Sequence, residues 1–140
     1  MIRDLAHIMV QVGDLETSLA FYRDTLGLEE AFRLHDGEGR LWIAYLHVGG
    51  GRFVELMKAS GKDLAGVDRG SGYTHMCLLV DNSSELLAEL RGKGVTILSD
   101  ISLGKDGSRQ FWIKDPDGNR IELMEYTDQS RQRQFLAGSK

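Results

Sequence analysis

The chain carries one pattern twice, and that repetition constrains its fold more than any other feature. His7-Ile8-Met9-Val10-Gln11-Val12 recurs as His75-Met76-Cys77-Leu78-Leu79-Val80, and each run leads through a turn rich in acidic or amide side chains into a helical pattern. Further on, Phe53-Val54-Glu55-Leu56-Met57 recurs as Arg120-Ile121-Glu122-Leu123-Met124, with Glu-Leu-Met identical in both. His7 precedes Glu55 by 48 positions and His75 precedes Glu122 by 47. Self-similarity at a fixed offset marks a structural unit used twice. In a chain of 140 residues, about the size of one ordinary domain, it leaves room for two half-size modules and little else.

The elements within each copy follow from local pattern. Asp14 is placed to cap a helix from Leu15 to about Leu26, whose apolar residues Leu15, Leu19, Tyr22 and Leu26 recur at helical spacing before Gly27 ends it. In the second copy Asn82 is the cap, Glu85 sits three residues later as in a capping box, and Leu86, Leu87 and Leu90 form the stripe before Gly92 and Gly94. Strand-prone runs follow each helix, Leu41 to Val48 and Arg52 to Met57, then Arg109 to Ile113 and Arg120 to Tyr126. Gly49-Gly50-Gly51 and Asp115-Pro116-Asp117-Gly118-Asn119 are the expected hairpin connections. A weaker strand is expected around Leu28 to Leu34 and around Val95 to Ile101. The order in each copy is βαβββ, an α+β fold of two paired modules, 5–58 and 72–126, in a single domain spanning 1–140 with a C-terminal tail over 127–140.

Composition excludes several functions. Apolar residues make up 41% and charged residues 27%, an ordinary globular balance. The net charge of −4 and the lack of any Lys/Arg run argue against nucleic acid and anionic membrane as partners. No apolar run approaches the ~18 residues of a membrane span. Cys77 is the one cysteine and has no internal disulfide partner, and no signal-peptide pattern follows Met1, so a reducing cytoplasm is the expected setting.

Strand alternation then sorts the chemistry. If Ile8, Val10 and Val12 pack beneath the helix, His7, Met9 and Gln11 face the other way, and the same parity sends His75, Cys77 and Leu79 to the corresponding face. On the late strands Phe53, Glu55 and Met57, and likewise Arg120, Glu122 and Met124, share that second face. A face mixing His, Glu, Gln and Arg with large apolar residues suits the wall of a concave site. A lone His at a strand start is ordinarily just a hydrogen-bonded polar residue, and a lone Glu in a strand just its exposed member. Their joint recurrence in register argues for more. His7, Glu55, His75 and Glu122 form a donor set that suits a divalent Ni, Co, Zn, Mn or Fe ion better than Ca.

The residues at this point resemble a known family. The opening from His7 to Leu28, the stretch Gly72-Tyr73-Thr74-His75 with Val80-Asp81-Asn82, and Asp115 to Leu123 are similar to the vicinal oxygen chelate superfamily of glyoxalases, bleomycin resistance proteins and dioxygenases, and within it to bacterial glyoxalase I. The resemblance implies paired βαβββ modules in a half-open mixed sheet barrel with helices outside. It implies one divalent transition metal per site, held by His7, Glu55, His75 and Glu122, and a homodimer in which modules of two chains complete each site. It also implies a lyase or isomerase working through a metal-chelated enediolate, with Glu122 as the proton-transferring base and Glu55 assisting. Gln11, Phe53, Met57, Leu79, Arg120 and Met124 are then the substrate-facing residues. The departures fall on glutathione contacts: the family usually has Arg where Gln11 stands and Asn where Ala59 stands. Competing readings within the resemblance are an epimerase, an extradiol dioxygenase and a metal-free drug-binding protein; the acid at Glu55 leans against the first, and the complete set of four ligands leans against the other two.

Other residues carry plainer expectations. Cys77 is expected to be a small buried residue, and His35 and His47 ordinary surface or strand-edge imidazoles. Trp42 and Trp112 are expected at equivalent places in the two copies, and the tail as either a helix over the site or a solvated terminus.

Overall fold

The computed structural model describes residues 1–59 and 73–138. The start expected for the second module, Gly72, lies outside the described residues. The chain divides into two compact units, Met1–Asp68 and Arg69–Lys140.

In the first unit, β1 (His7–Val12) is followed by α1 (Leu15–Leu19), a π-helical segment (Ala20–Thr25), β2 (Glu29–His35), β3 (Leu41–Gly49) and β4 (Arg52–Lys58). The four strands lie in the order β1-β4-β3-β2, with β1 parallel to β4 and the other pairs antiparallel. The second unit repeats this order with β5 (Met76–Leu79), α2 (Ser83–Gly92), β6 (Ser102–Leu103), β7 (Arg109–Lys114) and β8 (Arg120–Glu125), arranged β5-β8-β7-β6. The α+β class and the doubled βαβββ order are therefore present, and α3 (Arg131–Gly138) follows.

The helix-facing side of each sheet is the core of its unit. Val12, Leu19, Tyr22, Leu46, Val54 and Leu56 are buried in the first, and Leu90, Phe111, Ile113, Ile121 and Leu123 in the second. The Asp14 carboxylate accepts from the Thr17 N–H at 2.8 Å and Asn82 Oδ1 accepts from Glu85 N–H at 3.1 Å, which satisfies one otherwise orphaned helix donor in each copy. Gly27 and Gly94 close the two helices at φ +78° and +74°, a conformation that costs glycine nothing and a side-chain-bearing residue a clash.

Two expected elements differ. The first helix is not α-helical to Leu26. From Ala20 it widens, and the Leu26 N–H bonds the Phe21 carbonyl five residues back, at 3.0 Å. The wide turn accommodates the adjacent aromatics Phe21 and Tyr22, packed edge to face at 5.2 Å with Tyr22 fully buried. The strand expected from Val95 to Ile101 is reduced to a bridge at Ile97, flanked by bonds from Leu98 N–H to Trp112 O (2.7 Å) and Lys114 N–H to Thr96 O (3.0 Å). There Ser99 Oγ accepts the Trp112 N–H at 3.2 Å in place of a ladder carbonyl, and regular pairing resumes only at β6.

The tail is a helix tied down at its N-terminal end and otherwise exposed. The Asp106 carbonyl accepts the Arg131 N–H (2.9 Å), its carboxylate accepts from Gln132 Nε2 (2.5 Å), and the buried Ser108 and Ser130 hydroxyls meet at 2.9 Å. Among the described residues no helix is long and apolar enough to cross a membrane.

Candidate metal centre and its two halves

Each unit brings its His and its Glu together. Parallel pairing sets Met9 opposite Glu55, and from the strand start His7 reaches across so that Nε2 lies 3.0 Å from Glu55 Oε2. In the second unit His75, immediately before β5, places Nε2 3.1 Å from Glu122 Oε2. Both carboxylates are nearly buried, at 8% and 6% exposure, unusual for an acid without a strong partner. Among the described residues no three or more His, Cys, Asp or Glu side chains cluster to hold an ion. The structure thus joins the four predicted ligands as two pairs.

The donor set fits a metal ion. Two ligand atoms each about 2.1 Å from a shared ion and at a right angle to one another lie about 3 Å apart, the separation both pairs show. Thr74 Oγ1 lies 2.8 Å from His75 Nδ1. In the tautomer whose Nδ1–H serves that hydroxyl, Nε2 and the Glu122 oxygen both present lone pairs, and a proton or a cation between them resolves the conflict.

The surroundings of the pairs differ. In the first unit the register sets Tyr45 opposite Glu55, and the Tyr45 hydroxyl donates to Glu55 Oε2 at 2.9 Å. That bond, with partial desolvation and the carboxylate charge, pushes the Tyr45 phenol above its usual range. The ring is stacked on Phe32 (centroids 4.5 Å, 18°) and edge-on to Phe53 and His7. In the second unit Trp112 is opposite Glu122; it packs edge-on to His75 at 4.7 Å, and the Arg120 guanidinium lies 4.5 Å over its indole.

Trp112 therefore corresponds to Tyr45, and the expected equivalence with Trp42 fails. Trp42 has the opposite parity and lines a cavity of about 320 Å³ with Asp36, Arg40, Leu41, Lys58 and Ala59. Cys77 is also corrected: it is exposed, because its strand face is the open one, although desolvation and the Glu122 carboxylate push its thiol up to about 12. His47 Nδ1 lies 3.5 Å from Glu29 Oε2, and His35 ends β2. Of the substrate-facing candidates, Gln11 and Met57 pair across β1 and β4, and Phe53 packs near Tyr45. Leu79 pairs with Met124 across β5 and β8 and is 61% exposed. Tyr45 and Thr74 are additional residues of the two pairs. Alternation along β3 puts the Tyr45 side chain beside Glu55, a placement the sequence pattern alone carries.

The sequence pattern of the Glyoxalase/Bleomycin resistance protein/Dioxygenase superfamily matches residues 4–123, a span that contains both His–Glu pairs. The chain belongs to this superfamily. Among superfamily members, the lactoylglutathione lyase of Salmonella typhimurium is 33% identical over 131 residues, covering 91% of this chain and 96% of the relative. That of Neisseria meningitidis serogroup A is 29% identical over 123 residues, covering 86% and 89%. The structure of the trypanothione-dependent glyoxalase I of Leishmania major overlays with a TM-score of 0.71 at 26% identity, covering 98% of this chain and 93% of that one. A glyoxalase family protein from Enterococcus faecalis overlays at 0.73 with 21% identity over 88% and 98%, a likeness of fold alone.

Proposed function

We propose that the chain is a metal-dependent lyase or isomerase of the glyoxalase I type, acting on an enolisable carbonyl substrate such as the thiol hemithioacetal of a 2-oxoaldehyde. The observation that carries this reading is the doubled pair, an imidazole Nε2 about 3 Å from a nearly buried carboxylate at corresponding strands of both units. Relatives named lactoylglutathione lyase support it.

His7, Glu55, His75 and Glu122 would hold one divalent ion, Ni, Co, Zn, Mn or Fe, with the two pairs supplied by two modules, as in a homodimer whose sites each draw on both chains. When bound, such an ion supplies positive charge that acidifies the C–H beside the substrate carbonyl and offsets the negative charge that develops. Glu122 takes the proton from the carbon bearing sulfur and returns it to the neighbouring carbonyl carbon, with Glu55 assisting. The hydrogens are only redistributed, so no oxidant or reductant is consumed. Gln11, Phe53 and Met57 on one face and Leu79, Arg120 and Met124 on the other receive the substrate. Gln11 offers an amide where guanidinium would form a charge-assisted pair with a glutathione carboxylate, which weakens the hold on glutathione as the thiol partner.

Protein purified without chelator and analysed for elements should contain about one transition metal per site. It should then form thioester from methylglyoxal and glutathione. Failure to take up Ni, Co, Zn or Mn on reloading would remove the metalloenzyme reading; a metal-replete but inactive protein would move the substrate to another enolisable carbonyl.

A further inference from the structure

Each half-site has one side chain that holds it from behind, and the two act on different partners. In the first unit the hold is on the carboxylate, where Tyr45 donates to Glu55 Oε2 at 2.9 Å while His7 approaches the same oxygen at 3.0 Å. In the second it is on the imidazole, through Thr74 Oγ1 and His75 Nδ1 at 2.8 Å. Trp112, at the position corresponding to Tyr45, offers no hydroxyl to Glu122. The Tyr45 ring is fixed in turn by Phe32 on one face and by the edge contacts with Phe53 and His7, so its hydroxyl has little freedom to leave the carboxylate.

We propose that Tyr45 is a positioning residue that clamps Glu55 as the stationary carboxylate of the site, leaving Glu122 as the one free to carry the proton. The inference rests on the metal-dependent reading above and adds what that reading does not contain, a structural reason for two chemically identical acids to take different roles. A ligand that also acts as a base must let go of one partner to take a proton. An oxygen held by both a phenol and an imidazole is poorly placed to do so, and the Glu122 carboxylate, met by the His75 imidazole and by the weak thiol donor of Cys77, is better placed. Orienting groups behind a ligand act on affinity and on rate without touching substrate, so the hydroxyl should influence kcat and metal retention more than KM.

The test is Tyr45→Phe, which keeps the ring between Phe32 and Phe53 and removes only the hydroxyl. In metal-free protein labelled with carbon-13 at the glutamate carboxyl carbons, the Glu55 resonance should move and the Glu122 resonance should stay. In competition with a chelator the variant should bind Ni or Co about 10–100-fold more weakly than wild type, and kcat should fall about tenfold with KM within about twofold. An unmoved Glu55 resonance, or metal affinity and kcat both within about twofold of wild type, overturns the clamp. A tenfold rise in KM at constant kcat also overturns it, because the hydroxyl would then be a substrate contact. A wild type that takes up no transition metal overturns the metal-dependent reading, and this inference with it; a metal-binding, active wild type beside an indistinguishable variant overturns the inference alone.

Discussion

The two halves share topology and His–Glu geometry but differ in what stands beside the pair. The first surrounds it with aromatic rings and one phenol, Phe32, Tyr45 and Phe53; the second with an indole, a guanidinium and a thiol, Trp112, Arg120 and Cys77. Duplication preserves what the sheet and the pair require and frees the flanking positions. Those positions hold the differences that would let one half anchor an ion while the other handles substrate.

The largest expected effect is on turnover. Glu122→Ala should lower it by about 10³-fold and Glu55→Ala by less, measured as thioester formation with metal content determined alongside. Equal losses would remove the division of labour between halves. The cores should instead respond alike: Leu19→Ala and Leu90→Ala, both fully buried beneath their own sheets, should each cost about 3 kcal/mol in denaturant unfolding. A cost below 1 kcal/mol in either would show that one core relaxes around the loss. Giving the second half a phenol by Trp112→Tyr tests the asymmetry directly. If the new hydroxyl reaches Glu122, kcat should fall about tenfold, and a crystal structure would show whether the bond forms.

The smallest effect concerns a tie in the second half. Glu125 Oε2 accepts from both the N–H and the hydroxyl of Ser83, joining β8 to the start of α2, and these bonds hold the Glu125 carboxyl below its usual range. Lys58 stands at the corresponding place in the first half, and its ammonium cannot accept a helix N–H as the Glu125 carboxylate does. A depressed carboxyl contributes stability that is present above its unfolded value, near 4.5, and lost as pH falls through the lower folded value. Glu125→Gln should therefore cost about 1 kcal/mol at pH 7, with the gap to wild type closing below about pH 4 in urea titrations. A gap that stays constant down to pH 3 would mean the charge contributes nothing.

The repeat made the fold readable. His7, Glu55, His75 and Glu122 could be placed on one kind of face from parity alone, because a half-buried strand allows only two orientations. What escaped depended on geometry that parity does not encode. The π-helical turn after Leu19 and the loss of pairing at Ser99 are local contests between side chain and backbone. Residue type pairs Trp42 with Trp112, whereas the offset that relates Glu55 to Glu122 assigns Tyr45 to that place. The usual preference of a cysteine side chain is burial, while the open face on which Cys77 lies decides its exposure.

The parallel pairing of β1 with β4 also bears on how the protein assembles. The β2-β3-β4 meander closes through short connections, whereas β1 must dock across the whole length of its module, and β5 must do the same onto β8. Contacts between sequence-distant segments carry the larger loop-closure cost and form late. Each His reaches its Glu only through that last docking step. Competence to bind an ion would therefore report on completed folding, and a chain stalled with its first strand undocked would retain most of its sheet while remaining chemically blank.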